Sequence, residues 1–387
     1  MELMEYNDEQ KAIIEFVGRL AKTYDRAYWC RKAENDEFFQ EMWGVIAENG
    51  YFGMVVPEEY GGVNLKYADA AVFLEELGKY GIATLHFVGM FMDSILIMHG
   101  SEELKKKFLP QLCGGAYFAF AITEPDAGTN TFTMRTHAVK DGDYYIVNGQ
   151  KLFITGADES KYMILIARTI PYDKTENKRD GISIFVVDSH SEGITMQPQN
   201  VEIFNPEKQY TVFFDDVKIP AENLVGEESK GINYLFDGLN LERILIAAYS
   251  LGLGEFALNR GVEYARERNI FGKPIGSYQG LQHPLARAFI SLNLAGLAVR
   301  TAANALDAGM DKKQVGLYAN MAKLTASEEA FNACDIAIQA HGGYGMTKEY
   351  HVINISNMVR AMRVAPVNNE MILNYIGEHY LNLPRSY

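Results

Sequence analysis

Cysteine is scarce in this chain: Cys30, Cys113 and Cys334 are all that 387 residues contain. The number is odd, and no two are spaced as a metal or redox pair, so neither a disulfide framework nor a cysteine metal site is expected. Free, buried thiols in a reducing cytosol account for them, which makes a cytoplasmic protein the expectation. Long apolar runs are missing too. No stretch approaches 18 consecutive apolar residues, so no transmembrane segment is expected. The N-terminus opens on a polar helical pattern rather than on a signal peptide. Basic residues are the minority, 36 Lys and Arg against 50 Asp and Glu, a net charge of −14. Non-specific nucleic-acid binding needs a basic surface, so no nucleic-acid partner is expected. With 48% apolar and 22% charged residues, the chain has the balance of a globular protein with a sizeable core.

Several motifs are absent as well. There is no Walker A loop, no nucleophile elbow and no zinc helix, and no metal is expected. Gly252-Leu253-Gly254-Glu255-Phe256-Ala257 has the spacing of a dinucleotide fingerprint. It follows the helical run Arg243 to Leu251 instead of a strand, so small residues at a helix–helix contact are the better reading. The histidines are scattered, and isolated ones such as His99 read as structural.

What is present falls into three parts, and the order helices, sheet, helices points to an α+β protein. Residues 1–115 read as an N-terminal helical domain. Asn7 and Gln10 form a capping-box pattern ahead of Ile13, Ile14, Phe16, Val17 and Leu20 at helical spacing. Phe38 to Ile46 and Ala70 to Leu77 repeat the period, and Pro57 to Gly62 is a turn. Residues 116–228 read as a middle β domain, an antiparallel sheet or barrel. Its strands are expected at Tyr117 to Ile122, Tyr144 to Val147, Lys151 to Ile154, Tyr162 to Ala167, Gly181 to Val187 and Tyr210 to Phe214. Asn148-Gly149 reads as a type I′ hairpin turn. Residues 229–387 read as a C-terminal four-helix bundle whose apolar faces suggest burial against sister subunits.

Ile122-Thr123-Glu124-Pro125-Asp126-Ala127-Gly128-Thr129 ends a strand in a polar turn. Such a turn offers backbone N–H groups and hydroxyls to a flavin's carbonyls and ring nitrogens. It resembles the Thr-Glu-Pro-x-Ala-Gly-Ser segment of the acyl-CoA dehydrogenase family, with Thr129 in place of the serine. Pro57 to Gly62 looks like that family's N-domain turn, and Asn148 to Gly156 like its second flavin segment. Arg268-Asn269-Ile270-Phe271-Gly272 with Gln279 is similar to the segment that reaches a neighbouring subunit's FAD. Gln339 with Gly342, Gly343 and Gly345 resembles the turn at the same cofactor's diphosphate. The resemblance covers nearly the whole chain. It implies FAD as cofactor, held by Ile122, Thr123, Thr129, Phe153, Thr155, Arg268, Phe271, Gln279, Gln339, Gly342, Gly343 and Asn368. It also implies an acyl-CoA substrate, an electron-transfer flavoprotein as partner and a homotetramer.

Dehydrogenation of an acyl-CoA needs a base for the proton beside the thioester carbonyl, donors for the enolate oxygen and a hydride acceptor. The family's most common base is a glutamate in a Tyr-Glu-Gly-Thr segment. Here the matching stretch is Ala365-Pro366-Val367-Asn368, and Pro366 cannot take a proton. Gly238-Leu239-Asn240-Leu241-Glu242-Arg243 resembles the isovaleryl-CoA and long-chain branches, in which a helix glutamate serves. Glu242 is therefore one candidate base, with Asn240 and Arg243 toward the substrate; its alternative is a surface carboxylate paired with a basic neighbour. Asp93, in the apolar run Phe91 to Met98, is the other candidate, both as base and as pocket lining beside Thr129. Its alternative is an N-cap or a solvent-facing residue. The cyclohex-1-ene-1-carboxyl-CoA dehydrogenases use an aspartate in this region for a 1,4-elimination. The expected substrate is a branched or alicyclic acyl-CoA. The enoyl-CoA reductase direction and a flavin- or CoA-binding member without dehydrogenase activity stay open beside it.

Overall fold

The computed structural model describes residues 6–203 and 206–385; Ser386 and Tyr387, which close the sequence, lie outside them. Helices α1 (Asp8–Thr23), α2 (Arg26–Glu34), α3 (Gln40–Glu48), α4 (Tyr67–Lys79), α5 (His86–Met98) and α6 (Glu102–Cys113) come first. The expected capping box opens α1, with the Asn7 side chain and the Gln10 side chain each accepting from the other's backbone N–H. α1 buries one stripe, Ile13, Phe16, Val17 and Leu20. α5 differs: Phe87, Met90, Phe91, Met92, Leu96 and Ile97 bury it on nearly every side. A polar group on α5 is therefore carried into the core with its neighbours.

The sheet follows: β1 (Phe118–Ala121), β2 (His137–Asp141), β3 (Tyr144–Thr155), β4 (Tyr162–Arg168), β5 (Ile182–Asp188), β6 (Ile194–Gln199), β7 (Gln209–Pro220) and β8 (Leu224–Val225). Its order is β6-β7-β3-β2-β4-β5-β8, with β1 beside β4. Most pairings are antiparallel as expected, but β1–β4 and β2–β4 are parallel, so the sheet is mixed. The hairpin expected at Asn148-Gly149 does not form. β3 runs through both residues, and the turn between β2 and β3 falls at Gly142, φ +56°. Asn148-Gly149 makes a bulge opposite β7 instead. The Asn148 side chain exchanges two hydrogen bonds of 2.9 Å with Asp216, and Gly149 lies so close to Thr136 that a Cβ would sit 2.5 Å from its Oγ1.

Helices return as α7 (Gly231–Glu267), α8 (Gln279–Asp307), α9 (Lys312–His341), α10 (Val352–Met362) and α11 (Asn369–His379), with the small hairpin β9 (Asn269–Ile270) and β10 (Lys273–Pro274) after α7. α7 is the central one, packing on α4, α5, α8 and α9. The glycines of the false fingerprint serve these contacts. A Cβ on Gly252 would meet the Glu75 carbonyl at 2.0 Å, and one on Gly254 would meet Ala330 at 2.8 Å. By length and composition α8 is apolar enough to cross a membrane. Counting consecutive apolar residues misses this because Arg287, Ser291 and Asn293 interrupt the run. One side of α8 is buried through Leu285, Ala288, Leu292, Ala295 and Val299, while Phe289, Ile290, Leu294 and Leu297 are exposed. All three cysteines are free; Cys113 and Cys334 are buried, whereas Cys30 is half-buried beside His351.

Candidate active site

Two groups of expected cofactor residues lie in different places on the chain. The first gathers at the open ends of β1 and β3. A second bulge, between Lys151 and Ile154, breaks the β3–β7 ladder and turns Phe153 outward at φ +57°, 58% exposed. A left-handed aromatic residue presented to open space is a costly conformation that marks a contact surface. Lys151 points the other way and is wholly buried. Its ammonium donates to the Ile122 carbonyl (2.9 Å) and to Glu124 Oε1 (2.8 Å), and the Glu124 carboxylate accepts from the Arg135 and Thr136 N–H groups. Burial pushes Lys151 down to about 8. Burial raises Glu124, but the Lys151 charge and the Arg135 N–H outweigh it and hold the carboxyl below its usual range. The turn from Ile122 to Thr129 is thus tied from beneath, with Leu152 N–H donating to the Thr123 carbonyl, and a Cβ on Gly128 would meet nothing. Thr129 Oγ1 accepts from Asn368 Nδ2 at 3.0 Å, and Asn368 Oδ1 caps α11. Thr155 bonds Gln209 through its hydroxyl, and its carbonyl accepts from Tyr117 Oη at 3.0 Å.

The second group, Arg268, Gln339, Gly342 and Gly343, lines a cleft of about 590 Å³ with Tyr264, Ile270 and Tyr344. Gly342 ends α9 at φ +60°, and a Cβ on it or on Gly343 would meet nothing within 4 Å. That leaves the backbone bare for close approach. Phe271 stands 93% exposed at the tip of the small hairpin, and Gln279 begins α8. None of the first group lines this cleft.

The two candidate bases are brought together across the α5–α7 contact. Asp93 is fully buried, and neither of its oxygens has a hydrogen-bond partner among the described residues. It is not an N-cap and does not face solvent. Burial, and then the charge of Glu242, raise its carboxyl well above the ordinary range. Glu242 is half-buried rather than a surface residue, and its Oε2 is shielded and unpartnered among the described residues. Burial raises it from 4.5 to about 7, against the pull of Arg243 and Lys323. Arg243 is occupied within the fold, donating to the Leu239 carbonyl, to Asn320 Oδ1 at 2.6 Å and to Asn240 Oδ1. Pro366 lies in the turn before α11, without a proton-accepting side chain.

Two buried groups escape a reading of the sequence. Lys323 on α9 donates to the Val367 carbonyl and Asn369 Oδ1, both at 2.7 Å, and so holds the turn that carries Asn368. Burial drives it down to about 7. His86 opens α5 and meets Glu207 and Glu159, residues more than seventy positions away. No local spacing announces either contact.

Flavin-dependent dehydrogenation requires a carboxyl able to take a proton near neutrality and a ledge for a flat aromatic ring, and this chain carries a carboxyl raised to about 7 at Glu242 and an outward-facing Phe153. The comparisons agree. Residues 7–116, 119–217 and 229–381 match the family models for the acyl-CoA dehydrogenase N-terminal, middle and C-terminal domains. The acyl-CoA dehydrogenase FadE12 of Mycobacterium tuberculosis is 38% identical over 98% of both chains. The cyclohex-1-ene-1-carbonyl-CoA dehydrogenase of Syntrophus aciditrophicus is 34% identical over 97% of this chain and 91% of its own. The solved butyryl-CoA dehydrogenase of Megasphaera elsdenii superposes with a TM-score of 0.91 at 28% identity, over 98% of this chain and all of that one. The chain belongs to the acyl-CoA dehydrogenase family, FAD-dependent oxidoreductases acting on CH–CH bonds. The exposed Phe153 and the uncovered backbone at Gly128, Gly342 and Gly343 fit that cofactor.

Proposed function

We propose that the protein oxidises a branched or alicyclic acyl-CoA, with Glu242 taking the proton next to the thioester carbonyl. The observation that carries this is the Glu242 carboxyl itself, raised to about 7, with one oxygen shielded and unpartnered among the described residues. A base works best when its pKa lies near the working pH. FAD, when bound, supplies the hydride acceptor. Phe153 and the Ile122–Thr129 turn would carry its ring system, Thr155 and Asn368 flanking them, and the Arg268–Gln339–Gly342–Gly343 cleft would hold a diphosphate. Arg243 fixes Asn240 and lowers the cost of charge on Glu242. Asp93, neutral at rest, stands on the apolar side of Glu242.

One observation favours a second reading. Both Asp93 oxygens are bare in an apolar setting, and a relative of similar length is named as a cyclohexene-carbonyl-CoA dehydrogenase. In that reading Asp93 takes a proton from a more distant ring carbon, a 1,4-elimination. Anaerobic mixing of the yellow holoenzyme with straight, branched and cyclic acyl-CoAs tests both. Glu242→Gln slows bleaching by the preferred ester by roughly 10²–10⁴-fold, whereas Asp93→Asn slows it less. The reverse order would move the base to Asp93, and no bleaching by any ester would sink the proposal.

The exposed apolar face of α8 and the bare Phe271 support a homotetramer in which the Arg268 cleft serves a neighbour's cofactor. A monomer in sedimentation velocity would count against it. An electron-transfer flavoprotein as acceptor and a cytoplasmic location, with α8 covered by subunits and not by lipid, complete the proposal.

A further inference from the structure

His86 is fully buried, yet each of its ring nitrogens faces an acid. Nδ1 lies 3.1 Å from Glu207 Oε2, and Nε2 lies 3.5 Å from Glu159 Oε2. The rings of Phe38, Phe39, Trp43 and Tyr117 surround it at centroid distances of 4.2–5.8 Å. Nδ1 is within hydrogen-bond reach of Glu207, Nε2 meets Glu159 as an ion pair without hydrogen-bond geometry, and two carboxylates around one ring favour its doubly protonated form, as aromatic faces favour a cation. Burial opposes the charge, but the hydrogen bond with Glu207 and the close charges of both acids outweigh it and raise His86 to about 9.

The acids come from different elements. Glu207, just before β7, caps the start of α5, accepting from the Leu85 N–H at 2.9 Å and from the Thr84 hydroxyl. Glu159 follows β3 and packs on Gly156, where a Cβ would sit 2.3 Å from His86 Nε2 and 2.7 Å from Glu159 Oε2. The ion cluster therefore lies directly behind the Thr155–Gly156 peptide. Tyr117 completes the link. Its hydroxyl donates to the Thr155 carbonyl, and a methyl group on Gly89 would lie 3.9 Å from both that hydroxyl and Asp93 Oδ2.

We propose that His86, held between Glu207 and Glu159, is a positioning residue for the dehydrogenation. It locks the helix that carries Asp93 to the strand end that carries Thr155, so carboxyl and flavin ledge keep one register. Loss of one His86 proton leaves two acids against a neutral ring, and the lock loosens. The titratable groups facing it are Glu207, Glu159 and the Tyr117 hydroxyl, with Asp93 beyond. Tyr210 with Asp158 and the Lys208–Asp36 pair flank the acids. Burial pushes the Tyr117 hydroxyl well above its ordinary range, so within this cluster His86 is the group that changes near pH 9, while Lys151 beneath the Ile122–Thr129 turn changes lower, at about 8.

The test uses FAD-loaded wild type, His86→Gln and Glu159→Gln between pH 6 and pH 10.5. Visible circular dichroism of the bound flavin needs no substrate and reads the Thr155 side. The rate of anaerobic reduction by acyl-CoA reads the carboxyl side and draws on the proposed function. In the wild type both change through a transition near pH 9, which in the reduction rate lies above the separate Glu242 limb near 7. His86→Gln removes that transition from both and slows reduction at pH 7 by roughly tenfold or more. Glu159→Gln moves it down by about one pH unit. Dichroism that is flat across pH 9 in the wild type, or a wild-type transition retained in His86→Gln, overturns the lock. If His86→Gln does not fold, an unmoved transition in Glu159→Gln overturns it equally. Dichroism that behaves as expected while no acyl-CoA reduces the flavin leaves the lock standing and removes the proposed function.

Discussion

Lys151 with Glu124 and Asp93 with Glu242 are both pairs of titratable groups wholly or partly withdrawn from water, and they are opposite in kind. Lys151 and Glu124 carry opposite charges, and backbone groups meet what each leaves over. Asp93 and Glu242 carry the same charge when ionised, and three of their four oxygens are bare among the described residues. The first arrangement holds the turn that ends in Thr129. The second stores an unfavourable environment that keeps Asp93 neutral and Glu242 near 7. Burial alone does not separate structure from chemistry; what the buried atoms touch does.

Substitution separates the two pairs most sharply. Lys151→Met strands the Glu124 carboxylate and lowers unfolding free energy by about 3–5 kcal/mol, read in urea melts. Glu242→Gln removes a group with no charge partner at contact distance among the described residues, so its melt stays near or above wild type. Its flavin reduction falls roughly 10²–10⁴-fold in stopped flow. A strongly destabilised Glu242→Gln with normal reduction would erase the contrast.

The pairs also respond to pH with opposite signs. Glu242 has a raised folded pKa, so its contribution to stability is present below about pH 4.5 and is lost as pH rises through about 7. Glu124 has a depressed one, so its contribution is present above the usual carboxylate range and is lost as acid titrates it. Wild type minus Glu242→Gln and wild type minus Glu124→Gln should slope oppositely in melts from pH 3 to pH 8. The base needs its ionised form, so flavin reduction rises with pH through about 7 in wild type, and this limb is absent in Glu242→Gln. The smallest effect expected is that of Asn368→Ala, which removes the α11 cap and the Thr129 contact. It costs about 1 kcal/mol in the melt and loosens the Ile122–Thr129 turn proposed to carry the flavin, seen as faster FAD loss on dilution.

Much of the proposed flavin side could be named from the sequence because its information is local. The Ile122 to Thr129 turn and the glycines at Gly342 and Gly343 are short runs whose backbone needs are written in adjacent residues. Asn148-Gly149 shows where local reading fails. The dipeptide suits a turn, but pairing with β7 and the proximity of Thr136 turn it into a bulge inside a continuous strand. The carboxyl side was legible only as candidates. Glu242 and Asp93 could be named, but not whether water reached them. Lys323 and His86 could not be found at all, since their partners lie at Val367, Asn369, Glu159 and Glu207.

The sequence by itself determined that this is a flavin-binding acyl-CoA dehydrogenase chain and that its proton acceptor is not at Pro366. A residue type and a short motif suffice for both. Only the tertiary structure decided that Asp93 and Glu242 share one desolvated contact between α5 and α7, and that His86 sits behind the Thr155 end of β3. A carboxyl's affinity for its proton depends on solvent and on charges a few ångströms away, and packing brings those neighbours from distant parts of the chain.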